Sequence, residues 1–215
     1  MEKYICQLEI SGKSAMWTRP DTGDSPVSYP VPTPSAVKGI FESILRLKNV
    51  NLVPLKAEIC APITYHPYTT NYGGPLRKSK VIQKGAGYQL LATVLTNVCY
   101  RLYALPKKAS LEGMDISEKA KLRMAPVTNP NHAYYEIFNR RISKGQFYAM
   151  PCLGWKEFVP EYVGPFRADT KPCYEINETI SSMLWEMFSV NGSGIVSPVF
   201  RQNVKIINGG LNYVE

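Results

Sequence analysis

Apolar residues recur at helical spacing in the stretch that follows Thr33. They form one face of an amphipathic helix, made of Val37, Ile40, Phe41, Ile44 and Leu45. Thr33 is a favourable N-cap, and Pro34 stands at the first helical position, where its missing N–H costs nothing. The pattern predicts a helix that packs on a sheet and points its positive N-terminus toward a ligand such as a phosphate.

Period-two and continuous apolar patterns predict strands on both sides of this helix. Residues 3–11 alternate, residues 52–61 form a second strand, and residues 88–106 form one long strand or two shorter ones. The connection over residues 62–87 is long, polar and rich in tyrosine and lysine. A connection of this length inside a compact domain is either functional or disordered. Its composition favours a functional loop or hairpin.

A second helix is indicated by Asn129 and Pro130, which repeat the N-cap and first-position signals. It runs to about residue 144, and Gly145 is a natural stop. Residues 146–163 then resume β character, and further strands are predicted over residues 183–189, 195–207 and 211–214, separated by Asn–Gly turns. The C-terminal part is therefore predicted to be a small antiparallel sheet.

The order of these elements predicts an α+β fold. Strand, helix, strand, strand, helix and strand follow one another over residues 3–163, which is the βαββαβ order of a ferredoxin-like, RRM-like domain. The predicted division is a ferredoxin-like domain over residues 1–163 and a small antiparallel β-sheet over residues 164–215. Many RNA-binding proteins use this kind of sheet, although the fold hosts many other functions.

Charge distribution changes the picture, because the net charge of +8 is unevenly spread. Residues 59–111 contain no Asp or Glu, and the basic excess lies in residues 1–145. Cations interleaved with aromatic residues are the footprint of nucleic-acid binding, through phosphate neutralisation and base stacking. A basic enzyme with no such partner is the alternative. The residues that we expect to bind RNA are Arg19, Tyr29, Lys38, Arg77, Lys78, Lys80, Lys84, Arg140, Arg141 and Lys144.

Several classes of chemistry find no support in the sequence. The five cysteines are widely spaced without a CxxC pair, so we expect neither a disulfide framework nor a zinc site. This use of cysteine is typical of a reducing compartment, and we expect a cytoplasmic location. No apolar run is long enough to span a membrane. Phosphate-binding loops, GxSxG and HExxH are absent, and the two histidines form no ligand pattern. We therefore expect no metal and no cofactor.

Metal-free RNA cleavage stays open, because the ribose 2′-OH can attack its own phosphate. A protein need only align the groups, move protons and stabilise the added charge. The second helix offers His132, Tyr134 and Tyr135 as catalytic candidates. The alternative is that His132 is a surface or capping residue of the first helical turn.

Two long stretches resemble a known family. WTRPDTGDSPVSYPVPTPSAVKGIFESI (residues 17–44) and FNRRISKGQFYAMPCLGWKEF (residues 138–158) resemble the CRISPR-associated Cas-five family in its type I subtype C form. The resemblance implies a RAMP-type fold and binding of the CRISPR repeat RNA through its stem-loop and 5′ handle. It also implies metal-independent endoribonuclease activity on precursor CRISPR RNA, and partnership with the backbone and large subunits of an antiviral surveillance complex.

The resemblance also carries catalytic positions. Family members use a tyrosine at the end of the first helix and a Lys–His pair early in the second, and these positions align here with Leu45, Ala133 and Tyr134. Two expectations follow. Either the active site is rebuilt with His132 or a tyrosine, or the chain is a non-catalytic RNA-binding subunit of the complex. A stand-alone RNA-binding domain outside CRISPR is a third interpretation.

Overall fold

A computed structural model gives the fold of the chain and describes residues 3–71, 89–110, 118, 127–190 and 196–214. Two helices lie in the described ranges, α1 (Pro34–Ile44) and α2 (Pro130–Ser143). The strands are β1 (Cys6–Ala15), β2 (Val50–Ile59), β3 (Tyr65–Asn71), β4 (Gln89–Lys108), β5 (Tyr162–Gly164), β6 (Glu178–Val190), β7 (Val196–Ile206) and β8 (Gly210–Asn212). No helix in these ranges is long and apolar enough to cross a membrane.

Both predicted helices are confirmed, and both begin at the expected caps. Thr33 Oγ1 accepts a hydrogen bond of 3.2 Å from the amide of Ala36, and Pro34 is the first residue of α1. Asn129 Oδ1 accepts one of 3.2 Å from the amide of His132, and Pro130 is the first residue of α2. Side-chain capping of a free amide at each end explains why both helices start where local sequence predicted.

The strands of the main sheet pair antiparallel in the order β5-β1-β4-β2-β8, and one isolated bridge from Val27 to Thr93 of β4 is parallel. Strand β4 is central, and it is one strand of 20 residues rather than two. Its C-terminal part lies between β1 and β2, where Leu102 is opposite Leu8 and Ala57. Its N-terminal part pairs antiparallel with β3, so the strands that flank the predicted loop or hairpin are paired as in a hairpin. Residues 72–88, between the two strands, lie outside the described residues.

The helices cover one face of this sheet. Alternate side chains of β1 and β4, such as Ile10 and Leu102, are buried in the same core as the apolar face of α1. Phe41 of α1 stacks on Phe138 of α2 with 5.3 Å between the ring centroids. The apolar side chains that alternate along the strands and those on the apolar faces of the helices thus pack together in one core layer. The architecture is a mixed α/β fold with a mostly antiparallel sheet.

The opposite face of the sheet carries polar side chains and is covered by residues 165–173, which we call the covering segment. Arg101 of β4 donates hydrogen bonds to the carbonyls of Arg167 and Thr170, at 3.0 and 2.6 Å. The ring of Phe166 meets that of Tyr103 edge-on at 5.5 Å. This part of the sheet is therefore closed to a large ligand.

The prediction of β structure over residues 146–163 is largely wrong, because only β5 at its end is a strand. Prolines and glycines interrupt the segment, and its backbone bonds to other loops instead. The amide of Met16 donates 2.9 Å to the carbonyl of Leu153, and Gly154 has a φ of +90° where it approaches Met16. A Cβ at position 154 would lie 1.8 Å from that Met16 carbonyl oxygen, so the close approach requires glycine.

The C-terminal strands divide differently from the prediction. Strands β6 and β7 form a two-stranded sheet of their own, whereas β8 joins the main sheet beside β2. Tyr213 explains part of this placement, because it is buried and its hydroxyl donates 2.5 Å to the carbonyl of Pro32. The residue that follows β8 is therefore held by the chain that leads into α1.

Candidate functional site

The first turn of α2 presents His132 to solvent. Its side chain is about half exposed, and Nε2 lies 3.5 Å from Glu136 Oε1, one turn further along the helix. The imidazole also faces the ring of Tyr4, with 5.1 Å between centroids. An exposed imidazole with an orienting carboxylate is a group that can accept or donate a proton.

Tyr4 joins two further titratable groups to this histidine. Its ring lies 5.9 Å from that of Tyr135, and the ammonium of Lys3 lies 5.6 Å from the Tyr4 ring centroid. Tyr4 has a φ of +79°, a left-handed conformation that tyrosine rarely adopts. We call Lys3, Tyr4, His132 and Tyr135 the α2 cluster. It combines an ammonium, an imidazole and two phenols on one surface.

Sequence reasoning found two members of the α2 cluster and missed the other two. His132 and Tyr135 were candidates, whereas Lys3 and Tyr4 stand just before β1, far away along the chain. No local motif marks Tyr4. The positive φ of Tyr4, which directs its ring toward α2, is visible only in the folded structure and cannot be read from the sequence.

Tyr134, the third catalytic candidate, points into the core. It is 1% exposed, and its hydroxyl donates a hydrogen bond of 2.8 Å to the carbonyl of Leu45. Burial raises the pKa of the Tyr134 phenol. Leu45 is itself buried. The resemblance aligns both positions with catalytic residues, yet here the Tyr134 hydroxyl bonds to the Leu45 backbone and both residues belong to the core.

Three cationic side chains lie at the end of α2, and one of them has a structural role whereas the other two are exposed. Arg141 Nη1 donates 2.7 Å to the carbonyl of Ile44, one of the last carbonyls of α1. Such a charge-assisted bond satisfies a helix C-terminus. Arg140 and Lys144 are exposed. They give this end of α2 a positive surface that a phosphate could reach.

The RNA-binding residues predicted near the start of the chain form hydrogen bonds within the protein. Arg19 donates two hydrogen bonds to Asp21, at 3.2 and 2.8 Å, and this bonding raises the pKa of the Arg19 guanidinium. Tyr29 is 1% exposed, and its hydroxyl accepts a bond from the amide of Leu184. Lys38 donates 2.7 Å to Asn51 Oδ1. The buried ring of Tyr29 presents no face on which a base could stack.

The four cations of the predicted basic loop, Arg77, Lys78, Lys80 and Lys84, lie outside the described residues. The strands that carry the loop are described, and β3 is exposed along most of its length. The binding role of these four residues stays a prediction.

A buried carboxylate lies behind the covering segment rather than in an open site. The side chain of Glu9 has no exposed area, and it accepts hydrogen bonds of 2.5 Å from both Arg167 Nε and Thr170 Oγ1. Burial acts to raise the pKa of Glu9, but these bonds outweigh it and the pKa lies below its usual value. The bonding is that of a structural lock between β1 and the covering segment.

No group of three or more His, Cys, Asp or Glu side chains in the described ranges could hold a metal ion. The α2 cluster offers proton transfer by an imidazole and two phenols, and charge stabilisation by an ammonium.

Comparison with known proteins identifies the family of this chain. A model of the CRISPR-associated Cas5 family, in its Cas5d form, matches residues 5–179. A protein of Mannheimia succiniciproducens named CRISPR pre-crRNA endoribonuclease Cas5d is 29% identical over 188 residues, which cover 80% of this chain and 78% of that protein. A protein of the same name from Thermus thermophilus is 27% identical over 207 residues, covering 91% and 79%.

The fold agrees with this match. A solved structure described as a CRISPR-associated protein superposes with a TM-score of 0.66 at 18% identity, covering 98% of this chain and 92% of that one. The family model spans most of the chain. This chain therefore belongs to the CRISPR-associated Cas5 family, in the Cas5d form of type I subtype C.

Proposed function

We propose that this chain is an endoribonuclease that cuts precursor CRISPR RNA, the activity named for both of the relatives above. The observation that carries the proposal is the α2 cluster, in which the ring of Tyr4 lies close to both the exposed imidazole of His132 and the ring of Tyr135. An imidazole, two phenols and an ammonium can supply the proton transfer and charge stabilisation that metal-free RNA cleavage requires.

The cleavage is an internal transfer of the phosphodiester. His132 accepts the proton of the 2′-OH, and the resulting oxygen attacks the adjacent phosphorus while the bond to the 5′-oxygen breaks. A phenol of Tyr4 or Tyr135 donates a proton to that leaving oxygen. The ammonium of Lys3 stabilises the charge that builds on the phosphate in the transition state. The products are a 2′,3′-cyclic phosphate and a 5′-hydroxyl.

The RNA partner is the repeat of precursor CRISPR RNA, held by its stem-loop and 5′ handle. The exposed cations Arg140 and Lys144 follow the α2 cluster along the same helix, so the helix can contact phosphates on one side of the cut. The chain then stays on the 5′ handle beside the backbone and large subunits of the surveillance complex, in the cytoplasm.

The finer fold assignment belongs to the same proposal. The order β5-β1-β4-β2, with α1 and α2 on one face, supports a ferredoxin-like βαββαβ core into which β3 is inserted. The division into residues 1–163 and 164–215 is also part of the proposal, with β8 as the strand that returns to the core sheet.

A second candidate function is a non-catalytic RNA-binding subunit of the same complex. Leu45 and Tyr134 favour it, because they occupy catalytic positions of the resemblance yet pack against each other in the core. In this case the α2 cluster binds RNA without cutting it.

The deciding experiment incubates the purified chain with its own genomic repeat RNA in the presence of EDTA. The control RNA carries a 2′-deoxy substitution at the cut site. Cleavage that EDTA spares and the deoxy substitution stops, leaving a cyclic phosphate, supports the enzyme. Tight binding without cleavage supports the second function, and cleavage that leaves a 3′-hydroxyl contradicts the proposed chemistry.

A further inference from the structure

The edge of the main sheet at β8 carries an aromatic ring and several cations. Trp185 of β6 is half-buried and meets Tyr213 edge-on, with 5.9 Å between centroids. The guanidinium of Arg201 in β7 lies over the Trp185 ring at 4.1 Å from its centroid. Trp185 also lines two grooves, of about 410 and about 700 Å³. An indole and a guanidinium are thus stacked at the point where the grooves meet.

The smaller groove is basic. Its walls contain Lys56, Arg201 and Lys205, and none of the described residues that line it is Asp or Glu. The carboxylate of Glu58 lies 2.6 Å from Lys56 Nζ and therefore offsets the charge of that lysine. Lys205 is exposed and adds a positive charge to the wall of the groove. An anionic ligand is favoured here.

The larger groove has a different balance of charge. Lys38 and Arg46 in its walls are accompanied by Glu42 and Glu186. Equal numbers of opposite charges give no preference for an anion. The two grooves therefore differ in what they can bind, although they share the Trp185 ring.

We propose that the smaller groove, named the Arg201 groove, binds an unpaired stretch of RNA. Bases stack on aromatic rings and on guanidinium planes, so a base can extend the Trp185–Arg201 stack. Lys205 is exposed beside it and can contact the neighbouring phosphate. The volume of the groove falls in the range of ligand pockets, about 300 to 1,000 Å³.

Polar groups in the same groove can contact base edges. The side-chain amides of Gln202, Asn203 and Asn212 line it beside the cations. Amides offer both a donor and an acceptor, as the edges of RNA bases do. A single strand presents base faces and edges that a duplex hides, so the combination of stack, amides and cations fits an unpaired segment.

This inference rests on the proposed function for the presence of RNA, but its site is separate from the α2 cluster. In the order of the sheet, β4 and β2 stand between β1, which follows Tyr4, and β8, which borders the groove. The Arg201 groove therefore supplies affinity for a strand that extends away from the cut. It takes no part in the bond-breaking step.

The test measures the binding of a fluorescein-labelled octauridylate RNA by anisotropy over a series of salt concentrations. Lys205→Ala should weaken binding about tenfold and reduce the slope of log K against log salt by about 0.7, the value for one phosphate of a single strand. Arg201→Ala should weaken binding to a similar extent. Lys205→Arg, which keeps the charge, should bind as the unaltered chain does. Lys171→Ala removes an exposed cation outside the groove and serves as the matched control.

Each outcome decides for or against the groove. Unchanged binding by both Lys205→Ala and Arg201→Ala overturns the inference, as does an equal loss in Lys171→Ala. Uridine monophosphate is tested as a competitor of the octamer. If the monophosphate binds the groove as tightly as the octamer does, the groove binds a free nucleotide and the proposal of an RNA strand is overturned. Octamer binding and repeat cleavage are measured in separate assays, so a failure of cleavage is distinguishable from a failure of the groove.

Discussion

The hydroxyl of Tyr134 donates a hydrogen bond to the backbone carbonyl of Leu45 across a distance of 2.8 Å. The contact joins α2 to the end of α1 inside the core. It brings together two positions at which the family resemblance places catalytic residues. In this chain both positions stabilise the packing of the helices, and the titratable groups that reach solvent stand nearby on α2 and before β1.

Tyr134→Phe should lower the free energy of unfolding without reducing RNA cleavage. The change removes one buried hydrogen bond, which costs about 1 kcal/mol, and it keeps the ring that stacks beside Phe138. Urea unfolding and a single-turnover cleavage assay measure the two effects. A large loss of cleavage in a stably folded variant would return Tyr134 to the catalytic groups.

His132→Ala should reduce single-turnover cleavage by about 100-fold or more, because it removes the proposed proton acceptor. RNA affinity should change little. Tyr135→Phe, which keeps the ring and removes the hydroxyl, tests the proton donor in the same assay. Full activity in His132→Ala would exclude the imidazole from the chemistry.

Tyr4→Phe should also lower cleavage while the ring contact with His132 persists. A loss of roughly tenfold or more is expected where the phenol takes part in proton transfer. Tyr148→Phe removes the hydroxyl of an exposed tyrosine outside the α2 cluster and is the matched control in the same single-turnover assay. Equal rates for Tyr4→Phe and the unaltered chain would limit Tyr4 to orienting the imidazole.

The three cations at the end of α2 should separate into binding and stability effects. Arg140→Ala and Lys144→Ala should each weaken repeat-RNA binding and reduce its salt dependence by about one phosphate contact. Arg141→Ala should instead cost about 1.5 kcal/mol of stability, because Arg141 satisfies the carbonyl of Ile44. Anisotropy over a salt series and urea unfolding distinguish the two patterns. An Arg141→Ala variant that loses affinity but no stability would contradict the division.

Glu9→Gln should destabilise the fold by about 3 kcal/mol near neutral pH, because it leaves the half-buried guanidinium of Arg167 without its carboxylate. The folded pKa of Glu9 lies below its usual value. Its ionised form therefore stabilises the fold above the usual glutamate pKa of about 4.3, and this contribution is lost as the pH falls through the folded pKa.

The difference in unfolding free energy between Glu9→Gln and the unaltered chain should therefore shrink in acid. Urea unfolding near neutral pH and again below the usual glutamate range measures it. Glu136→Gln changes an exposed carboxylate and is the matched control. A difference that stays constant over this range would contradict the lock.

Local sequence predicted the parts of the fold that local chemistry determines. Thr33 and Asn129 cap the two helices as expected, because a capping side chain and its amide lie three residues apart. Local sequence could not predict the covering segment, because its position depends on a bond between Glu9 and Arg167, which are far apart along the chain. The irregular path of residues 146–161 was missed for the same reason, as its hydrogen bonds go to remote loops.

The candidate site was predicted only in part, and the reason is again distance along the chain. His132 and Tyr135 share a helix with a recognisable cap, whereas Tyr4 reaches them through an unusual backbone conformation. Tyr29 and Tyr134 were chosen for their chemistry, but composition cannot tell which tyrosines are buried. The Arg201 groove combines residues of β2, β6, β7 and β8, and no single stretch of sequence contains it.

The lock at Glu9 has a consequence for how the molecule comes apart. One carboxylate ties β1 to the covering segment, and Arg101 ties that segment to β4. Lifting the segment would break its bonds to two neighbouring strands at once, so we expect the covering segment and the sheet to separate together rather than in steps. The sheet face then stays covered for as long as the protein is folded, and the RNA contacts that we propose lie on the helices and at the edge of the sheet.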